Sequence, residues 1–215
     1  MAKINTIGQL QDALDTEMAW RIKEIGAFHM GSKSNGSQRK PFIRAGIALL
    51  YAHWEGFIKC ASELYLSFVE SRGHSYRELK TCFSVFGLKG KLDTLVEARK
   101  SEPNIAAMEF VMNELGGRAK LKIASAVRTD SNLTSTVFAN IARSLDIKTE
   151  DYETKFNLID TSLVLRRNKV AHGEYLELSG SDFGQLIRDV VQLMRAYKID
   201  LQNAATLEAY KRPAA

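Results

Sequence analysis

Arg167 and His172 stand five residues apart near the end of an apolar run, within Arg166-Arg167-Asn168-Lys169-Val170-Ala171-His172-Gly173. An arginine and a histidine suffice, chemically, to cut RNA without a metal. An imidazole gains and loses a proton near neutral pH, so it can exchange the proton of a ribose 2′-OH. A guanidinium can hold the scissile phosphate and offset the charge that builds on it in the transition state. On a regular helix the two residues lie about 140° apart around the axis, so one ideal helix cannot aim both at one phosphate. A helix that loosens at its end relaxes that constraint, and Gly173 is a plausible C′ residue marking such an end. A second copy of the segment facing the first across a dimer relaxes it as well. The bland alternative is a surface cation at a helix C-terminus beside a capping histidine.

Neighbouring residues extend both readings. The Asn168 amide can donate to a phosphate oxygen or fix the imidazole, or it is a solvated helix asparagine. Arg166 and Lys169 suit contacts to the RNA backbone, or are plain surface charge. Glu55 lies mid-helix between Trp54 and Gly56, where an unpaired carboxylate is costly to bury. It either faces the cleft, orienting His172 or pairing with Arg167, or forms an i,i+4 ion pair with Lys59. His53 reads as a satisfied core histidine, and Trp20 and Trp54 as core rather than base-stacking residues. There is no G-x-x-x-x-G-K-[ST] loop, no G-x-S-x-G elbow and no His/Cys cluster at metal spacing, so neither metal nor cofactor is expected.

The elements that must position these groups are helical, because apolar residues recur at three- and four-residue spacing. Thr6 caps a first helix to about Phe28, with Ile7, Leu10, Leu14, Met18 and Ile22/Ile25 on one stripe. After a flexible loop at Gly31–Ser37, Pro41 sits in the first turn of a long helix to about Glu70, apolar on nearly all sides. Gly73 breaks the chain. Leu88–Ala98 and Ile105–Leu115 read as shorter helices separated by Pro103, and Gly116-Gly117 closes the second. A basic patch lies at 118–122. Asn132–Leu145 and Tyr152–His172 are further helices, and Asp182 can start the last one, carrying Phe183, Leu186, Val190, Leu193 and Tyr197. The expected architecture is an all-α up-down bundle, one domain over 1–215, with inserted helices at about 75–130.

Bulk composition bounds the partners. At 215 residues, 45% hydrophobic and 26% charged, the chain buries a proper core. A net charge of +5 favours acidic partners, nucleic acid first. Cys60 and Cys82 read as reduced core thiols. With neither a signal-peptide core nor an apolar run of about 18 residues, the chain is expected in the cytoplasm and away from membranes.

The segment 166–173 resembles the R-N-x-x-x-H-G form of the Rx4-6H motif of HEPN-domain ribonucleases. Arg44–Lys59 resembles the long helix of the MAE-type HEPN branch, with Ala19-Trp20-Arg21 on the preceding helix. The resemblance covers roughly 10–70 and 130–195. It implies a HEPN-like helical bundle, a metal-independent endoribonuclease and a homodimer with a composite active site. Arg167 and His172 would be catalytic, supported by Asn168 and Glu55. It also implies a bacterial defence or toxin setting, with an antitoxin or another defence protein as candidate partner. The alternative is a non-catalytic HEPN domain that binds RNA or a nucleotide, or dimerises as an interaction module. One toxin branch carries a modified tyrosine two residues after the histidine; here Tyr175 comes one position later.

Overall fold

The computed structural model describes residues 4–33, 38–121, 123 and 132–213. They form α1 (Ile7–Gly31), α2 (Arg39–Ser71), α3 (Thr81–Glu97), α4 (Ser101–Asn113), α5 (Ser135–Ser144), the single turn α6 (Glu150–Glu153), α7 (Arg166–Ala171) and α8 (Gly180–Thr206). A 3₁₀ turn at Glu114–Gly116 comes after α4, and π-helical turns at Leu158–Leu165 lead directly into α7. The fold is all-α, as the periodicity implies.

Three long helices, α1, α2 and α8, pack against one another. Thr6 starts α1 through a capping box: its hydroxyl accepts from the Gln9 N–H and the Gln9 side chain accepts in return. Leu10, Leu14, Met18 and Ile25 are buried, and so is Arg21, held by Glu17. α2 is the central element, with Ile47, Trp54, Phe57, Ile58, Ala61, Tyr65 and Leu66 essentially inaccessible. Pro41 does lie in its first turn. Gly73 ends the connection with φ +75, a conformation that favours glycine. α8 begins at Gly180, two residues before the expected Asp182. The reason is a cap: the Ser179 hydroxyl accepts from the Asp182 N–H at 3.1 Å and donates to its carboxylate at 2.6 Å.

The middle of the chain departs from expectation in two places. α3 and α4 form a hairpin that starts earlier than the apolar spacing indicated. Pro103 sits inside the first turn of α4, where its missing N–H costs nothing, and the helices part at Ala98–Lys100. The expected helix Tyr152–His172 is also broken. Tyr152 is buried edge-on to Phe138, and its hydroxyl donates to Asp200 of α8, so α6 is held as a separate turn. The loop and patch expected at 31–37 and 118–122 lie partly outside the described residues; Ala119 and Leu121 are buried rather than displayed. None of the described helices is long and apolar enough to cross a membrane.

Gly46 is where α2 meets α8, because a Cβ there would overlap the ring of buried Phe183. Gly46→Ala should destabilise the protein by about 1–3 kcal/mol, through overpacking. Urea denaturation measures this, and an unchanged midpoint would contradict the packing.

Candidate functional site

Polar residues at Arg44, Tyr51 and Glu55 recur at intervals of seven and four along α2, so they share one face. That face meets α7 and the segment after it, in antiparallel register. Arg44 Nη1 donates to the Glu174 carbonyl at 2.7 Å. Lys40, one turn earlier, stands 3.9 Å from the Glu177 carboxylate. At the other end the Arg167 guanidinium lies over the Tyr51 ring, 4.0 Å from its centroid. Arg167 continues the buried Ile159–Leu163 stripe by one more turn, which is why it faces α2 and is half-buried.

Tyr51 is itself fixed. Its hydroxyl accepts the buried Leu133 N–H at 2.7 Å. Burial pushes its pKa up and the Glu55 charge adds to this, while the Leu133 hydrogen bond and Arg167 act in the opposite direction. Arg167, Tyr51 and Glu55 therefore form one group. Glu55 makes no ion pair with Lys59 among the described residues. It stands roughly 16 Å along α2 from Arg44, and Arg44 is the residue that meets the far end of α7. Within one protomer Glu55 thus belongs to the Arg167 end of the site, away from His172.

α7 ends at His172 in a Schellman motif. The Glu174 N–H bonds the Lys169 carbonyl at 2.9 Å, and the Gly173 N–H bonds that of Val170 at 3.1 Å. Gly173 has φ +73, as its expected C′ role requires. The His172 N–H donates to the Asn168 carbonyl at 2.9 Å, and the imidazole is exposed. The helix does not loosen between Arg167 and His172. Its irregular part is the π stretch upstream, and Arg166–Ala171 is ordinary α-helix, which leaves the pair about 140° apart. Arg166, Asn168 and Lys169 are all partly exposed around the same turn.

The other candidates fall into place around this face. His53 is buried with Nε2 3.0 Å from a Glu24 oxygen; burial lowers its pKa and Glu24 works against that. Trp54 is core, but Trp20 is 46% exposed, stacked by Arg21 and edge-on to His53. The reading of Trp20 as core is corrected. Both cysteines are free and half-buried, and burial pushes the Cys60 thiol up to about 11, so it is no nucleophile at neutral pH. Among the described residues no three His, Cys, Asp or Glu side chains gather as metal ligands. Tyr51 and Arg44 hold the candidate segment from α2, and motif reading did not single them out. The signal was available, as polar positions at helical spacing on an otherwise apolar helix.

A family model described as RiboL-PSP-HEPN matches residues 16–203. The chain belongs to this HEPN family. The match carries the superfamily; the MAE-type branch is a finer assignment that it does not make. Comparison with curated proteins and with solved structures finds no match.

Tyr51→Phe keeps the ring under Arg167 but strands the buried Leu133 N–H. It should destabilise the protein by about 1–3 kcal/mol in urea denaturation. A neutral result would show that the Leu133 bond contributes nothing.

Proposed function

We propose that this HEPN protein is an endoribonuclease that cuts RNA without a metal. One observation carries the reading: Arg167 is fixed on Tyr51 while His172 stands exposed at the closed end of the same short helix. In the proposed step His172 accepts the 2′-OH proton as the 2′-oxygen attacks the adjacent phosphorus. The bond to the 5′-oxygen breaks, and the leaving oxygen takes up a proton. The products are a 2′,3′-cyclic phosphate and a 5′-hydroxyl. Arg167 offsets the charge developing on the phosphate oxygens. Asn168 donates to the phosphate or steadies the imidazole, Glu55 orients Arg167, and Arg166 and Lys169 hold flanking phosphates. DNA is spared because it lacks the nucleophile.

A homodimer fits this chemistry. A regular α7 points Arg167 and His172 in different directions, so two copies facing each other supply the arginine of one and the histidine of the other. The setting we propose is cytoplasmic, in a bacterial defence or toxin system, with an antitoxin or other defence protein restraining the nuclease.

The test is labelled RNA incubated in EDTA with wild type, Arg167→Ala and His172→Ala, and then mapping of product ends. Cyclic-phosphate ends from the wild type, with each variant slowed at least about 100-fold, are expected. Full activity in His172→Ala sinks the assignment. A folded dimer that cuts no RNA favours the non-catalytic HEPN module instead.

A further inference from the structure

A second cationic site lies where α1 ends and α8 begins. A cavity of about 440 Å³ is lined by His29, Ser32, Lys33, Arg39, Ser181 and Arg188, together with Gly180 and Gly184. Among the described residues no carboxylate lines it. Among the described residues Lys33, Arg39 and Arg188 take part in no ion pair. Arg188 is held by a neutral acceptor, Gln185 Oε1, at 2.6 and 3.2 Å. These cations feel one another: burial lowers the His29 pKa, and Lys33 and Arg188 lower it further.

The glycines make the cluster possible. A Cβ at Gly180 would overlap the Arg39 guanidinium, and one at Gly184 would lie 3.1 Å from His29 Nε2. Bare backbone on that face of α8 lets both side chains close over its first turn. The 27-residue α8 adds the positive end of its dipole to the same place. Several like charges gathered without a counter-charge cost stability, and a bound anion relieves that cost. Arginines at the rim suit a phosphate, whose oxygens match the guanidinium fork.

We propose that this pocket is a phosphate subsite that takes a second phosphate of the RNA strand, separate from the one cut at His172. The choice of a strand rests on the nuclease reading and on continuity. The segment leaving His172 reaches Gly180 after eight residues, at most roughly 28 Å. Along it Arg44 and Lys40 of α2 meet Glu174 and Glu177. Arg39 lines both this cavity and the neighbouring groove formed with Lys40, Glu177 and Asp182. Glu177 and Asp182 line that groove and not the pocket, whose charged lining among the described residues is basic.

The test uses the full chain carrying His172→Ala, so that RNA is bound and not consumed. Titration with single-stranded RNA should move the His29 ring resonances, and Arg188→Gln or Lys33→Gln should weaken binding about tenfold. Each should also flatten the dependence of log affinity on log salt by about one unit. Both side chains are exposed, so the variants should fold. RNA binding that leaves His29 unmoved and the salt slope unchanged overturns the proposal. Inorganic phosphate moving His29 where RNA does not would make this a small-anion site and overturn the strand assignment. These readouts stand apart from cleavage: a wild type that cuts no RNA, with His29 still responding, defeats the nuclease reading and leaves the subsite.

Discussion

The stacking of Arg167 on Tyr51 is the contact that sets the geometry of the site. α7 continues the π turns directly, and it is held from α2, at one end by the Tyr51 ring under Arg167 and beyond the other by Arg44 on the Glu174 carbonyl. An aromatic face fixes the plane of a guanidinium as well as its position. Tyr51 in turn is tied to the Leu133 N–H, just ahead of α5, so that connection also bears on where the ring stands.

The π turns at Leu158–Leu165 set the phase of α7. With i→i+5 bonding each residue turns less than in an α-helix, so Arg167 arrives at a different angle than an unbroken α-helix would give. Asp160 within those turns accepts from the Ser135 N–H at 2.7 Å and its hydroxyl at 2.5 Å. That carboxylate caps α5 from outside and couples the irregular helix to its neighbour. Beyond the π turns the chain returns to regular helix and stops at a closed Schellman end, which leaves His172 exposed. In the proposed nuclease, a helix end with one residue anchored inward and one exposed at its tip suits a site completed by a second molecule.

Local chemistry was legible in the sequence. Thr6, Gly73 and Gly173 act as their types dictate, and Phe183, Leu186, Val190, Leu193 and Tyr197 are buried along α8 as their spacing requires. The break after α6 was not legible, for a physical reason. Tyr152, Phe156, Ile159 and Leu163 recur at intervals of four, three and four, so an unbroken helix and the observed turn-plus-π arrangement share one pattern. At Trp20 residue type misled where spacing was right. Position 21 continues the buried stripe through Met18 and Ile25, so Arg21 goes inside with Glu17 as its counter-charge and the larger Trp20 stays out. Glu55 shows a further limit: the sequence left open whether it turns to the cleft or to Lys59, and only the antiparallel register of α2 with α7 brings it near Tyr51 and Arg167.

In the proposed nuclease, Arg167 of one protomer acts with His172 of another. Co-expression of Arg167→Ala and His172→Ala chains under different tags, with purification through both, isolates a heterodimer that holds one intact arginine and one intact histidine on opposite protomers. A shared site predicts that this heterodimer cuts RNA to cyclic-phosphate ends while either variant homodimer does not. A purified heterodimer as inactive as the two homodimers, beside an active wild type, would contradict it.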